Sequence, residues 1–416
     1  MELVSPTTRV SILLPYKFGM AFTYEATAPL APGTLVRVPL GRRMVVGVVW
    51  DDPPDRDVKT RKVTEMLDFP PMREDLRKFI DWVAGYTLAA RGDVLALSLK
   101  EPLLAPSPKR ARTFAFGGAN PELPGPVLSS IQENAAMALR EDVRAGGFSV
   151  TLLNGVTGSG KTEVYLEEVA EALRHKKQVL VLLPEIALSV QMLARFEARF
   201  GVRPAVWHSE LTPAQRRETY RAVAQGRADV VVGARSALFL PFANLGLIVV
   251  DEEHETSFKQ EDGVMYNARD MAVVRGKFCA APVLLVSATP SLETAENAAS
   301  GRYKKLDLPA RHGGATLPRM EALDLREAPP ERGKFLSPLL VAAMRETLAR
   351  GEQAMLFLNR RGYAPLTLCR TCGHRLSCPN CSAWLVEHKS SPRLSCHHCG
   401  HTTQRPAHCP ACEAEG

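Results

Sequence analysis

Three stretches of this 416-residue chain hold residue types at spacings that support chemistry. Gly155-Val156-Thr157-Gly158-Ser159-Gly160-Lys161-Thr162 reads G-x-x-x-x-G-K-T. The glycines of such a loop let backbone N–H groups turn inward around phosphate oxygens, which a Cβ would obstruct. Lys161 is expected to reach the β- and γ-phosphates of a nucleoside triphosphate, and the Thr162 hydroxyl to bind Mg²⁺. Asp251-Glu252-Glu253-His254 supplies the acids that triphosphate hydrolysis needs. Asp251 would hold Mg²⁺ through water, and Glu252 would orient and activate the attacking water.

The third stretch is a cysteine cluster. Eight of the nine cysteines form four C-x-x-C pairs: Cys369/Cys372, Cys378/Cys381, Cys396/Cys399 and Cys409/Cys412. Two residues between thiolates make a knuckle that presents both sulfurs to one tetrahedral ion, so eight thiolates suffice for two Cys₄ zinc sites. Fourteen residues separate the two middle knuckles, close to zinc-ribbon spacing, whereas five separate the first two. That favours a nested scheme: one Zn²⁺ on Cys378, Cys381, Cys396 and Cys399, the other on Cys369, Cys372, Cys409 and Cys412. A redox pair would open a long helix in a βαβ setting, which is absent here.

The first two groups need a scaffold, and strand–helix alternation from Leu128 onwards provides it. Val150 to Leu153 reads as a buried strand before the phosphate loop. After the loop, Val164, Tyr165, Leu166, Val169, Ala170 and Leu173 recur at helical spacing, so the loop opens a helix whose positive end faces the phosphates. Further buried strands are expected at 179–183, 204–207, 230–232, 247–250 and 283–286, mostly continuous apolar runs suited to a parallel sheet covered on both faces. Thr212-Pro213-Ala214-Gln215 starts a helix that Gly226 ends. The fold class over 128–310 is therefore α/β, a doubly wound parallel sheet. Pro184-Glu185, Gly233 to Ser236, Asp251 to His254 and Ser287 to Pro290 all fall at the crevice ends of strands, where ligands bind in such sheets.

Around this domain, residues 1–68 read as a small β-rich module, with runs at Val10–Leu14, Phe22–Tyr24, Thr34–Val38 and Met44–Trp50. Residues 69–115 switch to a helical period, with Leu76, Phe79, Ile80, Val83 and Ala84 on one face. Residues 116–127 are a linker, and the basic cluster Lys109 to Arg112 just before them is a solvated charge run. Residues 311–366 begin a second α/β unit, with a helix at Pro338–Ala349, a stop at Gly351 and a strand at Ala354–Leu358. That unit is not completed before the zinc-binding region, 367–416.

Composition is that of a globular protein, 45% hydrophobic and 23% charged, and the net charge of +7 is compatible with nucleic acid. No apolar run approaches the ~20 residues of a membrane span. The N-terminus has no cationic start followed by an apolar core. Neither a membrane partner nor secretion is expected, and the clustered thiols suit a reducing cytoplasm.

The motifs, in this order, resemble a superfamily 2 helicase core with its RecA-like lobe. The resemblance becomes specific where Thr162 runs into Glu163-Val164-Tyr165-Leu166, in Gly233-Ala234-Arg235-Ser236-Ala237-Leu238-Phe239, in Asp251 to His254, and in Phe357-Leu358-Asn359-Arg360-Arg361-Gly362 leading into the four knuckles. From about residue 9 to 412 the chain resembles the bacterial replication-restart helicases of the PriA family. That resemblance implies an ATP- and Mg²⁺-dependent 3′→5′ DNA helicase that recognises stalled forks and initiates primosome assembly. Implied partners are forked or single-stranded DNA, the single-stranded-DNA-binding protein, and primosome proteins including the replicative helicase and its loader. Both zincs are implied to be structural.

Site by site, the resemblance implies that Gln132 reads adenine, that Arg235 contacts DNA, and that Ser287 and Thr289 couple nucleotide state to DNA contact. It makes 1–68 a domain that holds a 3′ DNA end through Phe22, Tyr24, Gly41 and Lys62, with Thr23 where the family has Asp. It makes 69–115 a winged-helix-like module. Tyr266, Ala268, Arg269 and Asp270 match an aromatic-rich DNA-sensing loop, but Val264 stands where Trp is usual, which removes a base-stacking surface. The family's G-T-Q element and Q-x-x-G-R-x-x-R motif do not occur in these 416 residues. An arginine finger contributes ~10³–10⁵ in rate. Two rival functions remain: a fork-binding scaffold that binds ATP without hydrolysing it, and an RNA helicase or other translocase on the same core.

Overall fold

Strands that are apolar on both sides need cover on both sides, and this requirement organises the larger part of the chain. The computed structural model describes residues 8–104, 116–184, 190–311, 319–331, 334–357, 368–369, 371–381, 384–388, 391–396 and 399–415. It comprises two compact units, Met1–Thr316 and Leu317–Gly416.

The first unit begins with β1 (Thr8–Leu13), β2 (Phe22–Ala26), β3 (Leu35–Leu40), β4 (Arg43–Val49) and β5 (Glu65–Met66), an antiparallel sheet of order β2-β1-β4-β3-β5. Alternation along the strands divides the side chains between two cores. Val10, Ile12, Tyr24, Val36 and Val38 fill one, while Leu13, Leu35, Val46 and Val48 face the other. Helices α1 (Glu74–Thr87), α2 (Arg91–Ser98) and α3 (Glu101–Leu104) follow. The five apolar residues expected on one face of α1 are all buried. Among the described residues no strand lies between Met66 and Val150. The basic cluster Lys109 to Arg112 falls outside the described residues.

Next come α4 (Ser130–Ala145), β6 (Val150–Gly155), α5 (Lys161–Arg174), β7 (Gln178–Leu182), α6 (Val190–Phe200), β8 (Ala205–Trp207), α7 (Pro213–Ala224), β9 (Val230–Gly233) and β10 (Leu245–Asp251). A short hairpin, β11 (Lys259–Gln260) with β12 (Tyr266–Asn267), leads into α8 (Ala268–Cys279), β13 (Val283–Ser287), α9 (Leu292–Ala299) and β14 (Lys304–Leu308). The large sheet has seven strands in the order β14-β6-β13-β10-β7-β9-β8, all parallel. Leu153, Val179, Val181, Val232, Val249 and Val286 pack under α4, α5 and α6. Their neighbours Leu152, Leu180, Leu182, Val231, Ile248 and Leu285 face α7, α8 and the N-terminal module. The two modules share that core. The Phe79 and Phe239 rings lie 5.3 Å apart, and the buried Arg275 guanidinium sits 5.3 Å from the Phe79 ring centre.

In the second unit, α10 (Pro338–Ala349) starts at a Ser337 cap whose side chain accepts from Leu340 N–H. The expected strand at 354–358 does not form over Ala354–Phe357, where no described strand offers a ladder to pair with; Leu358 to Gly362, like Glu185 in the first unit, falls outside the described residues. Three antiparallel strands, β15 (Leu385–His388), β16 (Ser391–Cys396) and β17 (Thr402–Gln404), complete the unit in that order.

Because the N-terminal module and the α/β domain share one core, Phe79→Ala should cost about 3–5 kcal/mol. In a denaturant titration followed by two probes, one in each module, both midpoints should fall together. A shift confined to the N-terminal probe would contradict the shared core.

Candidate nucleotide and metal sites

The phosphate loop leaves β6 at Gly155 and enters α5 at Lys161. Gly158 and Gly160 have φ of +81° and +79°, in the left-handed region that glycine tolerates without penalty. A Cβ on Gly160 would meet Gln132 Nε2 at 2.4 Å, and one on Gly155 would meet Ser159 Oγ at 2.6 Å. The loop is thus closed too tightly for side chains at these positions. Gln132 holds it from outside: its Oε1 accepts from Ser129 N–H at 2.8 Å, completing a capping box on α4, and its Nε2 donates to Ser159 O at 2.8 Å. Lys161 Nζ donates to Gly155 O at 2.8 Å, which holds the ammonium over the loop.

The acidic turn arrives from β10, with β13 alone between it and β6 in the sheet. Asp251 is buried; its Oδ2 accepts from Tyr165 O–H at 3.2 Å and its Oδ1 from Glu252 N–H at 3.0 Å. Burial first, and the adjacent Glu252 carboxylate second, push Asp251 up to about 6. A bound divalent cation would remove that penalty, because it favours the ionised form. Glu252 has φ +51°, and His254 Nδ1 lies 2.8 Å from Ser287 Oγ, which also accepts from Thr289 N–H at 3.0 Å.

Gln132, Thr157, Lys161, Thr162, Asp251 and Glu252 line one cleft of about 420 Å³, together with Val127, Leu128 and Arg195. Its donor set suits a triphosphate with a hard cation: loop residues, a lysine and a hydroxyl from 157–162, and two carboxylates from Asp251 and Glu252. Tyr165 and Arg195 were not singled out from sequence. Tyr165 reads there as one more apolar position of α5, and an arginine on an amphipathic helix carries no signal of its own.

The residues expected to touch DNA do not form one site. Arg235 belongs to the α/β domain, where its Nη1 donates to Ser257 O at 3.1 Å and Lys259 O at 2.8 Å, bracing the segment that leads into β11. Phe22 and Tyr24 lie on β2, and the buried Tyr24 hydroxyl donates to Pro39 O at 3.1 Å, two residues before Gly41. Lys62 bridges to Glu25 through the backbone. Arg61, beside Lys62, reaches Gly41 O at 2.6 Å; burial raises the Tyr24 phenol, and the Arg61 charge partly offsets this. Thr23 Oγ1 accepts from Asp55 N–H at 2.9 Å. Val264 and Tyr266 are buried in the shared core, whereas Met265 between them is exposed.

The eight knuckle cysteines form two clusters, Cys369/Cys372/Cys409/Cys412 and Cys378/Cys381/Cys396/Cys399, each with its sulfurs within 4.8 Å of one another. This is the nested pairing that the spacing favours. Cross-pairs are 3.6 and 3.7 Å apart in the first cluster and 3.5 Å in the second. Sulfurs at ~2.3 Å from a tetrahedral ion would be ~3.8 Å apart, so both sets fit zinc.

Three family profiles match segments of this chain. A profile of the DEAD/DEAH box helicases matches residues 129–298, one of the PriA 3′ DNA-binding domain matches 11–100, and one of the PriA DNA helicase Cys-rich region matches 378–404. The replication restart protein PriA of Rickettsia felis is 41% identical over 411 residues, covering 96% of this chain. Over nearly its whole length the chain matches the PriA family of replication restart proteins. The Haemophilus influenzae protein of that name is 34% identical over 97% of this chain, and the Bacillus subtilis one 42% identical over 69%. The chain spans 61% of the length of the Rickettsia felis relative and 65% of the Haemophilus influenzae one. Among the described residues no helix is long and apolar enough to cross a membrane.

Metal content tests the nesting. Cys378→Ser with Cys396→Ser should lose one zinc and keep the other, whereas Cys378→Ser with Cys409→Ser should lose both. Loss of both metals from the first double variant would rule out the nested pairing.

Proposed function

We propose that the chain binds ATP with Mg²⁺ in the cleft between residues 155–162 and 251–252, and acts as an ATP-dependent 3′→5′ DNA helicase of replication restart. The observation that carries this reading is the single cleft in which Lys161, Thr162, Asp251 and Glu252 meet. Gly155 to Gly160 present backbone N–H groups to the phosphates, and Lys161 exchanges its carbonyl partner for the β- and γ-phosphates. Thr162 and Asp251 hold Mg²⁺, which when bound neutralises charge on the phosphates. Glu252 orients the water that attacks, and Tyr165 keeps the Asp251 carboxylate turned into the cleft. Gln132 sits against the base side and ties its occupancy to the loop through Ser159.

The remaining roles follow the family. Domain boundaries near 68, 115, 127, 310 and 366 separate a 3′-end-binding module, a winged-helix-like module, a linker, the first helicase lobe, the start of a second lobe and a zinc-binding region. Phe22, Tyr24, Gly41 and Lys62 serve the DNA end, with Arg61 as an added cation, and Arg235 serves the strand on the lobe. The primosome proteins, the single-stranded-DNA-binding protein and a cytoplasmic setting belong to the same proposal. Profile matches to a DNA-binding domain and to a helicase core support this reading.

An ATPase assay with forked DNA, duplex DNA and RNA tests it. Fork-stimulated turnover is the expected outcome, and Lys161→Ala should abolish it. Fork binding without turnover would leave a scaffold. Stimulation by RNA alone would replace the DNA reading, and turnover unchanged in Lys161→Ala would remove the site assignment.

A further inference from the structure

The third residue of the acidic turn, Glu253, has no part in the chemistry proposed above, yet its carboxylate is fully buried and bonded more densely than either neighbour. Its Oε1 accepts from Ser291 N–H at 2.7 Å, and its Oε2 accepts from the Ser291 hydroxyl at 3.1 Å and the Thr294 hydroxyl at 3.0 Å. Arg269 Nη1 stands 3.4 Å from the same oxygen and 2.5 Å from Ser291 Oγ. Ser291 caps α9, so the carboxylate lies at that helix's positive end. Arg269 is the second residue of α8. One side chain therefore joins the acidic turn to the starts of two helices, and the Glu253 backbone N–H is pinned to Val286 O at 3.0 Å on β13.

What this anchoring secures is the residue before it. Glu252 has φ +51°, a conformation that a side chain with a Cβ avoids and that persists only where the surroundings fix it. On its N-terminal side, Asp251 Oδ1 accepts the Glu252 N–H. On its C-terminal side the Glu252 carbonyl accepts from Glu255 N–H at 2.9 Å, His254 reaches Ser287, and Glu253 carries the densest set of side-chain bonds. Unlike Asp251 and Glu252, Glu253 does not line the cleft. We infer that Glu253 is a positioning residue: bonded to Ser291, Thr294 and Arg269, it holds the turn so that the Asp251 and Glu252 carboxylates face the bound Mg²⁺–nucleotide. The inference rests on the reading of the cleft as that site.

The affinity of a fluorescent ATP analogue, measured with Mg²⁺ and with Mg²⁺ omitted, tests it. Glu253→Gln places an amide where only acceptors fit. Thr294→Val removes one hydroxyl donor to Glu253 and leaves the Ser291 cap of α9 in place, so it decides the matter if Glu253→Gln does not fold; Ser291→Ala removes a second donor together with that cap and an Arg269 partner. Binding without Mg²⁺, set by residues 155–162, should stay within about twofold in every variant. The gain in affinity on adding Mg²⁺ should fall about tenfold in Glu253→Gln and by smaller steps in the other two. An unchanged gain in the folded variants overturns the inference. So does an equal loss with and without Mg²⁺, which is what a purely structural role would give. A wild-type chain with no Mg²⁺-dependent gain overturns the nucleotide reading itself, an outcome visible before any variant is made.

Discussion

Everything chemical in the larger unit depends on seven strands running the same way. In a parallel sheet every carboxyl end opens on one edge, and the loops leaving that edge meet wherever their strands are close neighbours. With β13 alone between β6 and β10, the phosphate loop and the acidic turn come within reach of one ligand. Ser287, at the end of β13, is then close enough to hydrogen-bond His254. A single antiparallel substitution in this order would send one of these loops to the far edge. The ladder in turn depends on burial of both faces, since a parallel sheet has no face to spare for water.

Burial also sets the electrostatics of the site. A carboxylate at the end of a dry strand resists ionisation, and Asp251 is raised to about 6 by that cause, reinforced by Glu252. Such a group binds a cation partly because the cation relieves its own desolvation. Glu253, equally buried, is met instead by fixed donors and a guanidinium. Two acids separated by one residue thus differ: Asp251, with Tyr165 O–H and Glu252 N–H as its donors, is still raised and would be relieved by the proposed Mg²⁺, while Glu253 is met by fixed donors within the protein. The zinc region solves a different problem. Its apolar core contains little beyond Leu385, Leu394 and the cysteines themselves, too small to hold three short strands together. Zinc bound by the two clusters would supply folding free energy that so small a core lacks.

Much of this was legible in the sequence because each feature left a local mark. Continuous apolar runs marked the six strands from β6 to β13 in the large sheet, and the Thr212 capping box and the Ser337 start marked two helices. Knuckle spacing marked the pairing of thiolates. What escaped had no such mark. β14 reads Lys304-Lys305-Leu306-Asp307-Leu308, an edge strand whose charges hide its period. The hairpin of β11 and β12 is held by Arg235 from a distant loop. Tyr165, Glu253 and Arg61 acquire their roles only through partners 86, 38 and 20 residues away. The strand expected at 354–358 shows the converse error, since its apolar run satisfies the local pattern while no described strand pairs with it.

The shared core of the N-terminal module and the α/β domain bears on how such a protein would sense DNA. Modules joined by a linker alone reorient freely, and binding at one then says little to the other. Here α1 packs on α8, with Phe79 against Phe239 and the fully buried Arg275. Helix α8 begins at Ala268, and its second residue, Arg269, is the guanidinium that meets Glu253. The same helix therefore touches the N-terminal module along its length and the acidic turn at its start. A displacement of the module large enough to move α8 would also move Arg269 against Glu253. The candidate cleft and helix α1 of the N-terminal part are in this sense both tied to α8.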